Sequence, residues 1–207
     1  MAVGTLRPGM QSTSLRNETL ERFLERLAST DPAPGGGGSV AVATAMAAAL
    51  VEMAAGLSAD RIAEAADIGA QAGDIRRRAL TLADEDAAAY TRVLEAFRRR
   101  GERSTDADPD AGRQEIQAAL KGATAVPLEV AGLAADVAGL GNRLVSGGNP
   151  NLEGDAAAAV HLARAAARAA ARLVELNVRQ GKLDGKWSDQ AAAHVARAET
   201  GTPVPPE

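Results

Sequence analysis

Apolar residues recur along the chain at helical spacings. Leu20, Phe23, Leu24 and Leu27 stand three and four apart, which predicts an amphipathic helix from about Asn17 to Ala28. It ends before Asp31-Pro32-Ala33-Pro34, because a residue preceding proline is driven out of the helical region. Four glycines follow at 35–38. Ser39 is the expected N-cap of a second helix that reaches about Leu57 and carries Val42, Met46, Leu50 and Met53. Residues 39–51 hold no charge, yet Glu52 interrupts the run and most of it is alanine. A buried helix accounts for that pattern better than a membrane span.

From Asp60 to Arg100 the pattern reads as one helix or two in close succession, with Ile75, Leu82, Val93, Leu94 and Phe97 as its larger apolar residues. Residues 101–110 form a polar connection in which Asp108 and Pro109 supply a cap and a first-turn proline. The helix that follows carries Ile116, Leu120 and Leu128, and a bend is expected at Pro127. A second irregular island spans Ser146 to Asp155. A helix then runs from Asp155 to about Arg179, and a short helix covers about 189–198. The expected organisation is one helical domain over 17–199, with flexible ends at 1–16 and 200–207.

Composition sharpens this picture. Alanine makes up 49 of the 207 residues and aromatic residues 2%, so the chain is rich in the best helix former and poor in sheet formers. The fold class is therefore all-α, a multihelical bundle with closely approaching helices. With 23 basic and 27 acidic side chains interspersed, no basic arm exists to hold nucleic acid. Zero cysteines remove thiolate chemistry, and two histidines leave little for a metal centre, so no metal and no prosthetic cofactor are expected. A cytoplasmic location, away from nucleic acid and membrane, fits this inventory.

Three features carry candidate chemistry. The Pro34-Gly35-Gly36-Gly37-Gly38-Ser39 segment delivers glycines onto a helix N-terminus, where free N–H groups suit a carboxylate or phosphate; a flexible packing connection is the competing reading. It lacks the lysine and spacing of a Walker loop. In the last long helix, with Asp155 at zero and about 100° per residue, Leu173 returns to about 0°, Asn177 falls at about 40° and His161 at about 240°. This geometry turns Asp155 toward the interior as a candidate acid or base, with acceptance of N–H bonds at the helix start as its competing structural role, and leaves His161 on the charged side. In Asp84-Glu85-Asp86 the same reasoning places Asp86 nearer the stripe of Tyr90, Leu94 and Phe97 than Asp84, with a solvated acidic turn of helix as the simpler competing reading.

The stretches FLERLASTDPAPGGGGSVAVATAMAAALVEMAAGLS, LADEDAAAYTRVLEAF, EIQAALKGATAVPLEV and GNPNLEGDAAAAVHLARAAARAAARLVELNV stand in an order and spacing that resemble the formiminotransferase-cyclodeaminase C-terminal domain family. That family includes free-standing methenyltetrahydrofolate cyclohydrolases. The resemblance implies an all-helical homodimer that binds a reduced folate as substrate. Carried over by position, it marks Pro34, Gly35, Gly36, Gly37, Gly38 and Ser39, together with Asn149, Asn151 and Asn177, as substrate-binding, and as catalytic Asp155, the expected general acid-base, and Asp86, a weaker helper. Two positions depart: Ser58-Ala59-Asp60-Arg61 stands where members often have a Gly-Lys-Lys-like stretch, and Gly154 where Ser is common.

The activity expected first is hydrolysis of 5,10-methenyltetrahydrofolate to 10-formyltetrahydrofolate, because no transferase module accompanies the domain. Formimidoyltetrahydrofolate cyclodeamination with release of ammonia is the alternative. A noncatalytic helical folate-binding or interaction protein is the third, suggested by the two departures.

Overall fold

The computed structural model describes residues 14–102 and 109–201, and all of its regular structure is helical. After a 3-10 turn at Leu15–Asn17 come α1 (Leu20–Leu27), α2 (Gly36–Gly56), α3 (Ala65–Glu102) and α4 (Pro109–Gly147). A second 3-10 turn (Pro150–Leu152) leads into α5 (Glu153–Gly181) and then α6 (Lys186–Thr200). The segment from 65 onward is one helix rather than two. The Asp108 cap, most of the expected flexible N-terminus and nearly all of the tail lie outside the described residues. Within the described part, Leu15 is buried and its N–H donates to Asp84 Oδ1 at 2.6 Å, so the chain is already anchored at residues expected to be free.

The core is built from methyl groups. Ala47, Ala48 and Val51 of α2, Ala134, Ala135 and Ala138 of α4, and Ala159, Ala163 and Ala167 of α5 are all fully buried. Small side chains let helix axes approach closely, and α4 and α5 make the most extensive pairing in the molecule, with α2 packed on α3 and α5. Each methylene-sized group contributes about 0.8 kcal/mol on burial, so stability is spread over many alanines rather than a few large anchors.

This packing corrects the helical wheel drawn from leucines. On α5 the buried face is the alanine row from Ala156 to Val174, which centres at about 90° from Asp155 at about 100° per residue. Asp155 and Leu173 therefore stand at the rim of that face, both half-buried, and neither lies at its centre. His161 is exposed, as the wheel predicts. On α1 only Phe23 is buried, while Leu20 and Leu24 stay 65% and 51% exposed, so its apolar stripe is largely uncovered.

α4 continues through Pro127 without interruption. Proline has no N–H to give the carbonyl four residues earlier, and that carbonyl, on Ala123, instead accepts from Asn177 Nδ2 of α5 at 3.0 Å. The exchange ties α4 to α5 beside the pocket described below. By length and composition α2 and α4 are apolar enough to cross a membrane, and about half of each apolar window is packed inside the fold.

Candidate active site

The glycine segment is the first surprise. α2 begins at Gly36, not Ser39, so Gly36, Gly37 and Gly38 are its first turn and Gly35 is the N-cap. Ser39 lies within the helix, its Oγ donating to the Gly35 carbonyl at 2.9 Å. None of these glycines has a positive φ, so the segment does not need glycine for backbone freedom. Space is the reason. A Cβ placed on Gly37 would sit inside the Asp86 carboxylate, whereas one on Gly36 or Gly38 would find only ordinary van der Waals contacts, so the steric demand falls on Gly37. The carboxylate of α3 thus lies directly on the bare first turn of α2.

That contact decides the electrostatics. Burial pushes the Asp86 carboxyl above the ordinary carboxylate range, while the Gly38 N–H donating to it works in the opposite direction and is outweighed. The helix N-terminus, expected to receive an anion from a ligand, already receives one from the chain itself.

Around this carboxylate lies a pocket of about 890 Å³ whose floor holds Asp86, Gly36 and Gly37. Its walls come from three helices running side by side. α3 contributes Tyr90, Leu94 and Phe97, α4 contributes Pro127, Ala123 and Leu120, and α5 contributes Leu173 and Asn177. Tyr90 and Phe97, 44% and 38% exposed, are pocket walls rather than the core residues that their spacing suggested. Because its amide nitrogen is held by the Ala123 carbonyl, Asn177 keeps its side-chain oxygen as an acceptor at the pocket wall. The arrangement offers flat apolar surface, one hydrogen-bonding amide and one carboxyl whose proton is unusually retained.

The sequence-derived residues separate into two groups. Gly35, Gly36, Gly37, Asp86 and Asn177 meet at this pocket, with Pro34 buried behind them. Asn149, Asn151 and Asp155 do not join them. Asn149 docks the second island onto the far end of α2: its Nδ2 donates to the Leu57 carbonyl at 3.2 Å and its N–H donates to Ser58 Oγ at 3.0 Å. Its own Oδ1 accepts from the Asn151 N–H, forming the turn that leads into α5. Asp155 and Asn177 sit at opposite ends of one helix, about 33 Å apart at 1.5 Å per residue. Within one chain the two groups cannot touch the same small molecule.

Several lining residues escaped the sequence reading. Pro127 signalled only a bend, and Tyr90 only a buried stripe; an aromatic residue on the same face as an acidic one, a turn apart, is the signal that pointed here. Asp84, placed on the outer side by its helical angle, instead accepts from Ser14 Oγ and the Leu15 N–H and holds the N-terminal segment across α3. His194 is half-buried against Gly132, and burial lowers its pKa with Arg197 adding to the effect. It takes no part in the pocket. Among the described residues no cluster of potential metal ligands occurs.

Comparison with known proteins gives consistent results. The profile of the Formiminotransferase-cyclodeaminase family matches residues 19–197. A methenyltetrahydrofolate cyclohydrolase of Methylorubrum extorquens is 36% identical over 169 residues, covering 79% of this chain and 80% of that one. In fold, the chain resembles the crystal structure of formiminotetrahydrofolate cyclodeaminase from Thermotoga maritima, with a TM-score of 0.64, 24% identity and coverage of 90% and 91% of the two chains.

Two predictions follow from the glycine turn. Gly37→Ala must displace the Asp86 carboxylate and is expected to destabilise the protein by about 1–3 kcal/mol. Gly36→Ala meets only Leu173 Cδ2 at 3.8 Å and is expected to be neutral or to stabilise by up to about 1 kcal/mol through helix propensity. Urea unfolding of the pair checks this, and equal midpoints would refute the steric account. The raised pKa of Asp86 also fixes a sign. Between the ordinary carboxylate value and the raised folded value the unfolded chain binds fewer protons than the native one, so stability falls as pH rises through that window. Asp86→Asn should therefore be more stable than the parent at neutral pH, with the gain fading below about pH 4. A gain that persists undiminished in acid would contradict burial of the charge as its cause.

Proposed function

The chain belongs to the formiminotransferase-cyclodeaminase family, and we propose that its pocket hydrolyses 5,10-methenyltetrahydrofolate to 10-formyltetrahydrofolate with Asp86 as the proton-transfer group. The observation that carries this reading is the Asp86 carboxyl, half-buried on the bare first turn of α2 at the floor of an apolar pocket and holding its proton above the ordinary range. The 36% identical cyclohydrolase supports the choice of reaction.

The chemistry suits one carboxylate acting twice. The methenyl carbon is bonded to N5 and N10 in a cationic amidinium, and an ionised Asp86 beside it favours that charge. Water adds to the carbon while Asp86 accepts one of its protons, giving a neutral tetrahedral carbinol. Asp86 then returns that proton to N5 as the bond between carbon and N5 breaks. The hydroxyl becomes the formyl oxygen on N10 and releases its proton to solvent. A carboxyl raised above the ordinary range gives up its proton less readily than an ordinary aspartate, which makes it the better acid for the second transfer. Tyr90 and Phe97 supply flat surface for the ring systems, and the Asn177 oxygen accepts from a ring N–H.

The same carboxyl could protonate ammonia leaving a formimino carbon under attack by N10. Cyclodeamination is therefore the second reading, and a protein that binds folate without turnover is the third.

We also propose that the chain acts as a homodimer. α2 leaves Met46, Met53 and Leu57 exposed along one side at 53%, 41% and 56%, a stripe that a second copy would cover. If Asn149, Asn151 and Asp155 serve a pocket at all, they serve that of a partner, since their own is out of reach.

Asp86→Asn is expected to lower turnover of methenyltetrahydrofolate by about 10²–10⁴-fold with helicity intact. Spectrophotometric hydrolysis assays, run beside an ammonia-release assay on formiminotetrahydrofolate, check it. Full activity in the variant removes Asp86 from the chemistry, and ammonia release without methenyl hydrolysis replaces the reaction by the second reading. Light scattering should give about twice the 21.1 kDa chain mass; a single chain mass across working concentrations would exclude the dimer.

A further inference from the structure

Hydrolysis in this pocket asks for more than one carboxyl. The attacking water must be held against the methenyl carbon with one proton toward Asp86 and the other toward a second acceptor, in a cavity whose walls are mostly apolar. Five polar side chains line the pocket among the described residues: Asp86, Tyr90, Arg98, Asn177 and Gln180. Their levels along the bundle separate them. Leu173 Cδ2 stands 3.8 Å from the position that a Cβ would take on Gly36, which sets Leu173 beside the floor with Asp86. Tyr90 and Asn177 each follow four residues later, about 6 Å along their helices. Arg98 is about 18 Å from Asp86 along α3, with its Nη1 bound to Glu102 at 2.6 Å, and Gln180 is about 10 Å past Leu173. Near the floor, the Asn177 amide nitrogen is held by the Ala123 carbonyl. The Tyr90 hydroxyl can both donate and accept, and it has no hydrogen bond with another described residue.

We propose that the Tyr90 hydroxyl is a second catalytic group of this pocket, holding the attacking water against the methenyl carbon and passing the last proton of the reaction to solvent. The proposal rests on the hydrolysis reading and supplies the acceptor that Asp86 alone leaves missing. Asp86 and Tyr90 stand one turn apart on α3, where helical side chains are neighbours, and the tilt of Cα–Cβ bonds toward the helix N-terminus leans Tyr90 back over the turn that carries Asp86. Water between them points one proton at the carboxylate and the other at the phenol oxygen, which leaves a lone pair for the carbon. As the water oxygen bonds to carbon, Asp86 takes the first proton, and the carbinol hydroxyl stays hydrogen-bonded to Tyr90. When the bond from carbon to N5 breaks, N5 receives the proton from Asp86. The carbinol proton then moves to the phenol oxygen while the phenol's own proton leaves to bulk water, so Tyr90 ends neutral. Tyr90 is 44% exposed, which gives that proton a way out along the side chain itself. The role belongs to hydrolysis alone, because in cyclodeamination N10 is the nucleophile and no water is added.

The test is Tyr90→Phe in the full chain, which keeps the ring and removes only the hydroxyl. Its urea midpoint is expected to match the parent's, since the hydroxyl bonds to no other described residue. On methenyltetrahydrofolate, kcat should fall about 10²-fold, at the lower end for a positioned proton-transfer group, with KM unchanged because the ring still walls the pocket. Imidazole, a small proton carrier with a donor and an acceptor nitrogen, should restore part of the lost turnover in proportion to its concentration, after subtraction of hydrolysis without enzyme. The parent's rate should not respond to it. Release of ammonia from formiminotetrahydrofolate should be the same in the two proteins. A kcat within about twofold of the parent's, or a raised KM with kcat retained, makes Tyr90 a wall only and overturns the inference while the hydrolysis reading stands. Equal loss of ammonia release in the variant also overturns it, because that reaction consumes no water. A parent that releases ammonia without hydrolysing methenyltetrahydrofolate overturns both the inference and the reading beneath it.

Discussion

The carboxylate of Asp86 occupies the volume that a Cβ would take on the first turn of α2, and the position of the pocket follows from that contact. Three successive glycines are poor helix formers, costing about 1 kcal/mol each relative to alanine, and they open a helix only because something compensates. Here the compensation is tertiary: an acid from α3 lies against the turn, its negative charge favoured by the N-terminal dipole and by the Gly38 N–H. The same closeness takes part of the Asp86 side chain out of water and raises its pKa. One steric accommodation therefore starts a helix, shapes a pocket floor and retunes an acid.

The rest of the site depends on helices that can stand close together without filling the space between them. Alanine rows on α2, α4 and α5 bring those axes together in the core. Toward the C-terminal half of α3 the rows give way to Tyr90, Leu94 and Phe97, which hold the helices apart and leave a cavity. Pro127 and Asn177 belong to the same design. The proline frees a carbonyl on the pocket side of α4, and the asparagine binds it, fixing its own amide so that the oxygen remains available. A buried or half-buried carbonyl without that partner would be a standing cost.

Much of this was legible in the sequence, and the limits of legibility are specific. The helical character of the described residues, the order of the helices and the prominence of the 34–39 segment follow from alanine content, apolar spacing and the proline-glycine punctuation. Asp86 was distinguished from Asp84 by helical angle, because a helix interior keeps its periodicity whatever packs on it. The wheel failed on α5 because it weighted leucine, whereas close-packed helices bury alanine and leave leucine at the rim. The start of α2 failed for a related reason, since local propensity puts Ser39 at the cap and takes no account of an acid that arrives from α3.

What the sequence by itself determined is the secondary structure and the membership of the candidate set, because periodicity, capping and turn chemistry act over a few residues. Which candidates share a site was decided only by the tertiary structure. A helix is a rod that advances 1.5 Å per residue, so Asp155 and Asn177, adjacent on the wheel, end about 33 Å apart, while Asp86 and Gly37, far apart in the chain, are brought into contact. Angular position around a helix is a local property of the sequence; position along the packed bundle depends on which helices lie side by side and in which direction, and no short-range rule encodes that.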